Sequence, residues 1–188
     1  RKMFFLGSAS VFPHAQGMFR ERFVMGEAQL TPIHESDITL GEIACAEPLS
    51  IGLHAIHRAG SVLGETVLVT GGGTIGCMSV MAARMAGAAQ VIVCDVNDRA
   101  LEMAKTCGAD RVVRTDQVAL DELADIADVS IEAAGIRAAL TTCLKATKRG
   151  GRIVQVGTLP AELSFPVNSI MARELDYRGA FRAHLEFD

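Results

Sequence analysis

A chain of 188 residues, 49% hydrophobic and with a mean hydropathy of +0.28, can bury one complete core and part of a second. Its formal net charge of −4, without any run of Lys or Arg, argues against a nucleic-acid or anionic-membrane partner. No apolar stretch reaches membrane-spanning length and residues 1–20 contain no signal-like apolar core, so a cytoplasmic protein is expected.

From Phe12 to Ile33, Pro, Gly and short apolar runs such as Arg22-Phe23-Val24-Met25 alternate, a pattern of irregular β structure without a core of its own. Thr39-Leu40-Gly41-Glu42 has the spacing of a capping box that opens a helix. Pro48 is expected to interrupt that helical pattern, which resumes from Ser50 to Ala59. Near residue 60 the organisation changes, and after Gly64 strands and helices alternate strictly.

The first strand, Val67-Leu68-Val69-Thr70, runs into Gly71-Gly72-Gly73-Thr74-Ile75-Gly76, a G-x-G-x-x-G turn followed by a helical pattern. Gly71 permits a sharp turn, Gly73 lets backbone approach a pyrophosphate, and Gly76 lets helix pack close on strand. Thr74 and Ile75 open the helix whose N-terminus attracts the phosphates, through unpaired N–H groups and the helix dipole. Nineteen residues past Gly76, the run Val91-Ile92-Val93-Cys94 ends at Asp95, where a carboxylate can accept from a ribose diol. Asp95 favours NAD over NADP by repelling a 2′-phosphate, while Arg99, four residues on, is a cation able to accommodate one. As alternatives, Asp95 is a turn residue and Arg99 a solvated helix residue.

Strands are predicted at 66–70, 90–95, 110–114, 128–132, 151–156 and 175–182, and helices at 75–87, 98–107, 118–126 and 136–146. The alternation implies right-handed βαβ units and a parallel sheet covered on both faces: an α/β, doubly wound Rossmann fold. Ligands of such a sheet lie beyond the carboxyl ends of the strands. The residues there are small or polar, and Ala134, Gly157 and Phe181 become candidates for cofactor contact. The five cysteines show no C-x-x-C spacing and read as reduced, buried hydrophobes, and the five histidines show no ligand spacing, so no complete metal site can be drawn.

Ala46-Glu47-Pro48-Leu49-Ser50-Ile51-Gly52-Leu53-His54-Ala55, Val67 to Gly76 and Ala88 to Asp95 together resemble the zinc-dependent medium-chain alcohol dehydrogenases of the sorbitol dehydrogenase branch. Phe4 to Ala9, Phe12-Pro13-His14 and Arg178-Gly179-Ala180-Phe181-Arg182 are most similar to the L-idonate 5-dehydrogenases within it. The resemblance implies that residues 1–58 are the trailing part of a β-rich, GroES-like catalytic domain with its connecting helix, and 59–188 the dinucleotide-binding domain. It further implies that the Cys and His-Glu zinc ligands of the family lie upstream of this chain. Glu47 then lies at the zinc, as a ligand or through its bound water, and Arg182 near the reacting centre. The implied reaction is oxidation of a secondary alcohol of a polyol or sugar acid, with L-idonate to 5-keto-D-gluconate foremost. NAD is the implied cofactor, NADP the less favoured one, and zinc the Lewis acid of the complete enzyme. Arg182 and His184, two residues apart, could read a substrate carboxylate from one face. A homodimer or homotetramer is expected, because the last strand leaves a sheet edge open to pairing. Other polyol or threonine dehydrogenases of the branch, a zinc-free quinone reductase, and a nucleotide-binding module without catalysis remain alternatives.

Overall fold

The structure, a computed structural model, describes residues 17–27, 30–35, 37–183 and 186. It divides into two compact units, Arg1–Ile38 and Thr39–Asp188. In the smaller unit the described residues form no strand, and the Arg22 to Met25 run expected to be β leaves Val24 fully exposed. The division falls before the helix over residues 46–59, whose Ala55, Ile56 and Ala59 share a core with residues of the larger unit.

The larger unit begins with α1 (Leu40–Ala44), closed at its start by the expected capping box. Thr39 Oγ1 accepts the Glu42 N–H at 3.3 Å, and the Glu42 carboxylate accepts the Thr39 N–H at 2.8 Å and its hydroxyl at 2.7 Å, which holds the Glu42 pKa below its usual value. α2 (Ala46–Ala59) then runs without interruption. Pro48 is its third residue, in the first turn, where N–H groups have no intrahelical partner and a proline removes nothing.

There follow β1 (Thr66–Thr70), α3 (Thr74–Met85), β2 (Gln90–Asp95), α4 (Asp98–Thr106), β3 (Arg111–Arg114), β4 (Ala127–Glu132), α5 (Arg137–Ala146), β5 (Thr147–Gln155), α6 (Val167–Arg173) and β6 (Asp176–Gly179). All strand pairs are parallel, in the order β3-β2-β1-β4-β5-β6. Alternate residues of the strands serve opposite cores. Val67, Val69, Val91, Val93, Val129 and Ile131 pack under α2, α3 and α4, whereas Leu68, Ile92 and Ile153 pack under α5 and Leu123. The doubly wound expectation is met, and the chain reverses direction across the sheet between β1 and β4.

Besides α2, four elements differ from the sequence reading. The helix expected over 118–126 is one 3₁₀ turn, Leu120–Leu123: Leu123 is drawn into the core and Asp125 adopts a left-handed φ of 55°, which ends the turn just before β4. β5 starts at Thr147 because Thr147 pairs with Ala127 across a register shift. β6 stops at Gly179, short of residue 182, where Arg182 turns to φ 60°. α6 has no counterpart among the expected elements; it is one short exposed helix that starts after Pro166 and ends on Glu174 in the left-handed region, a stop usually marked by Gly.

Candidate dinucleotide site

β1 ends beneath the glycine turn at the reversal point of the sheet, the place where such folds hold ligands. Gly71 takes φ +91°, donates its N–H to the Cys94 carbonyl at 2.8 Å, and has Ala134 backbone where a side chain would begin. A Cβ on Gly76 would collide with the Gly71 carbonyl oxygen, so this glycine is what lets α3 start directly over β1. Gly73 faces open space and forms the N-cap of α3, with no side chain capping the helix and no acidic residue in its first turn. The outcome is a twelve-residue helix whose uncapped N–H groups face an open cradle, the donor arrangement that suits a pyrophosphate.

β2 brings Asp95 beside this turn. Its Oδ2 accepts the Gly72 N–H at 2.6 Å, and its Oδ1 accepts the N–H groups of Val96 at 2.7 Å and Asn97 at 2.9 Å. Three of a carboxylate's roughly four acceptor positions are thus used by backbone. Asp95 does the work of a turn residue while remaining half-exposed at the wall of a cavity of about 730 Å³. Gly71, Ala134, Thr115 and Asp116 line the same cavity. Asn97 caps α4 by accepting from Arg99 and Ala100, so Arg99 lies exposed in the first turn of α4 and lines neither this cavity nor the next. Arg114 is held between Asp98 and Asp116, a pairing that raises its pKa and lowers that of Asp116.

A second cavity, about 350 Å³, lies on the other side of the β1 end and is lined by Ile51, Ile75, Gly157, Phe181 and Arg182 among others. The Arg182 guanidinium stands 5.1 Å from the Phe181 ring centroid, a cation–π contact. Glu47 is exposed and lines neither cavity, but it sits one turn before Ile51 on the same face of α2. Thr74 is the first residue of α3 and also lines neither. His184 and the segment Phe4 to His14 fall outside the described residues.

Sequence reasoning missed Glu132, Gln155 and Tyr177, which form one hydrogen-bonded cluster between the last residues of β4 and β5 and the second residue of β6. The signal that could have found it was an acidic residue closing an otherwise apolar strand. The cysteines are all free, as expected; Cys45 is exposed, and burial pushes the thiols of Cys77 and Cys94 up to about 12.

Among the described residues no group of three His, Cys, Asp or Glu side chains is arranged to hold a metal ion. One exposed carboxylate, Glu47, does not supply the four-ligand tetrahedral set that zinc requires, so the donors present here do not fit zinc by themselves. The glycine cradle, by contrast, fits a dinucleotide.

Fold and cradle together define a Rossmann-type dinucleotide-binding unit. A family model described as zinc-binding dehydrogenase matches residues 74–188, and the chain belongs to that family. It is 36% identical over 189 residues to an Escherichia coli L-idonate 5-dehydrogenase (NAD(P)(+)), covering 99% of this chain and 55% of that protein. It is 37% identical over 153 residues to the sorbitol dehydrogenase of Gallus gallus, covering 77% of this chain and 43% of that protein. The chain thus spans about half the length of the relatives it matches. The crystal structure of the E. coli L-idonate 5-dehydrogenase superposes with a TM-score of 0.92 over 98% of this chain and 54% of that one, at 36% identity. A zinc-binding dehydrogenase from Sinorhizobium meliloti bound to NADP superposes with a TM-score of 0.76 over 93% of this chain and 54% of that one, at 29% identity.

Proposed function

We propose that the full-length protein oxidises a secondary alcohol of a polyol or sugar acid, foremost L-idonate to 5-keto-D-gluconate, using a nicotinamide dinucleotide. The observation that carries this reading is the uncapped N-terminus of α3 over a glycine cradle, set between two cavities at the reversal point of the sheet. The identity to L-idonate and sorbitol dehydrogenases supports the substrate class.

Bound nicotinamide supplies the hydride acceptor. This chain's residues bind and orient: Gly73, Thr74 and Ile75 present N–H groups to the pyrophosphate, Gly71 and Asp95 shape the adenosine side, and Ala134 walls it. Ile75, Gly157 and Phe181 line the smaller cavity together with Ile51, Val156 and Arg182, an open surface of mixed polarity that receives the ring that reacts. Arg182, which lines it, supplies positive charge for a sugar-acid carboxylate, and His184, two residues on in the sequence, is its proposed companion. Glu47, one turn from that cavity along α2, serves the zinc of the complete enzyme with ligands from elsewhere in the protein.

NAD is the proposed cofactor, with NADP secondary. Asp95 and Asp116 line the larger cavity together with one cation, Arg137, and the nearby Arg114 is already shared between Asp98 and Asp116, so a 2′-phosphate placed beside Asp95 meets a carboxylate, which supports NAD. The relative bound to NADP supports the dinucleotide without separating the two forms. We further propose a cytoplasmic homodimer or homotetramer, supported by the outer edge of β6, which pairs with no strand among the described residues. None of the described helices is long and apolar enough to cross a membrane.

The test compares L-idonate with sorbitol in kcat/KM for the purified full-length protein, and NADH with NADPH in fluorescence titrations. A preference for L-idonate and for NADH is expected. Sorbitol oxidised at least as efficiently as L-idonate would return the protein to the general polyol dehydrogenases, and equal or better NADPH binding would remove the cofactor preference. The 188-residue chain by itself is expected to be inactive even with added Zn²⁺.

A further inference from the structure

Glu132 closes β4 and is fully buried, at 0% exposure. A carboxylate withdrawn from water requires donors, and this one has three. Oε1 accepts the N–H groups of Ala134 at 3.0 Å and Gly135 at 2.8 Å, and Oε2 accepts from the Gln155 amide. The same Gln155 nitrogen donates to the Gly157 carbonyl at 2.7 Å, while Gln155 Oε1 accepts the Tyr177 hydroxyl at 2.8 Å. Burial, reinforced by the Glu132 charge, pushes the Tyr177 phenol up to about 12, so it remains a donor.

Each group in this cluster orients the next. A carboxylate only accepts, so Gln155 must turn its NH₂ toward Glu132 and its oxygen toward Tyr177. The sheet does not need the cluster in order to close, because β4, β5 and β6 are already paired through backbone. An apolar side chain of similar volume would fill the space without burying a charge. What the cluster does hold is the groove: Ala134 lines the larger cavity, and Ala133 and Gly157 line the smaller.

We propose that Glu132 is a positioning residue for the dinucleotide. By fixing the Ala134 and Gly135 amides directly, and the Gly157 carbonyl through Gln155, it sets the floor that joins the two cavities. Only a carboxylate can do this, since both oxygens must accept. An amide at 132 turns its own NH₂ either onto the Ala134 and Gly135 donors or onto the NH₂ of Gln155, and a Gln155 that flips to relieve the clash abandons Gly157. The inference rests on the dinucleotide reading of the site.

The experiment measures NADH and 5′-AMP binding to the full-length protein by calorimetry, alongside thermal unfolding. AMP is small enough for the larger cavity alone, so a displaced floor should penalise the ligand that spans both. Glu132→Gln is expected to weaken NADH about tenfold or more and AMP less than about threefold. Should that variant fail to fold, Gln155→Ala carries the test: it leaves the grip on Ala134 and Gly135 and releases Gly157, and it is expected to show the same selective loss. Unchanged NADH binding, or equal losses for both ligands, would overturn the inference while the dinucleotide reading stands. A wild-type protein that does not bind NADH would overturn both.

Discussion

Asp95 and Glu132 end the two strands that flank β1, and both accept backbone N–H groups from loops of the groove, yet they live in different media. Asp95 is half-exposed, two of its three partners are the amides of the exposed residues Val96 and Asn97, and one acceptor position remains for a ligand. Glu132 is sealed, and all its donors come from the protein. The same functional group is a replaceable fastening at the rim and an irreplaceable one in the interior, because desolvation is fully compensated only when every partner is present.

The largest expected effect sharpens that contrast on the sealed side. Gly157→Ala would put a Cβ 2.6 Å from Glu132 Oε2 and against the Gly135 backbone, and should destabilise the fold by about 3 kcal/mol in chemical denaturation. Gly73→Ala meets open space; unfolding should change by less than about 1 kcal/mol while NADH binding falls, because the new methyl occupies the cradle. A Gly73→Ala variant that binds NADH normally would place the pyrophosphate elsewhere.

Next comes the direct comparison of the two carboxylates. Glu132→Gln should cost about 3 kcal/mol of stability and Asp95→Asn about 1 kcal/mol, so equal costs would erase the distinction between rim and interior. Asp95→Ala should also cost NADH about 1.5–3 kcal/mol of binding and narrow its advantage over NADPH. Unchanged NADH affinity would leave Asp95 as a loop fastening only.

A smaller effect belongs to the opposite end of the sheet, where Asp128 accepts from Lys148 at 2.8 Å and from the Thr66 N–H at 2.9 Å. Burial works to raise its pKa, but Lys148, the Thr66 amide and the charge of Arg152 outweigh it and hold the pKa below the usual carboxylate value. A depressed folded pKa contributes stability that is present above the ordinary carboxylate range and lost as pH falls through the lowered value. Asp128→Asn should therefore cost about 1 kcal/mol at pH 7, and the gap to wild type should close below about pH 4. A gap that does not narrow at all as pH falls below the ordinary carboxylate range would mean the contact does not depend on ionisation.

The smallest effect is chemical. With their thiols near 12, Cys77 and Cys94 should resist alkylation at about pH 8 in the folded protein, whereas exposed Cys45 should react first. Resistance of Cys94 in the absence of nucleotide would mark it as wall, not as a reactive group of the cavity it lines.

How far the site could be read from residues alone depended on where its signals lie. The turn at Gly71 to Gly76 and the strand ending at Asp95 are local patterns, and β1 and β2 occur over the residues expected of them. Glu132 stood in view as the last residue of β4, but its importance comes from Gln155 and Tyr177, more than twenty residues away in the chain. The expected helix over 118–126 failed for a related reason: Leu123 is captured by a core assembled from distant segments, which overrides local propensity. The expectation for Pro48 erred on geometry, since its effect depends on which residue begins the helix.

The sequence by itself determined the α/β alternation, the glycine turn and the carboxylate that ends β2, because these rest on periodicity and on short-range steric requirements of a few residues, and its motifs carried the resemblance to the family. Only the tertiary structure decided that Asp95 is largely occupied by its own loop, that Arg99 stands outside the cavities, that Phe181 and Arg182 meet Ile75 and Gly157, and that Glu132 is the buried fastening between two halves of a groove. Those facts are about desolvation and partnership between residues distant in the chain, and both are settled only when the sheet brings its strand ends together.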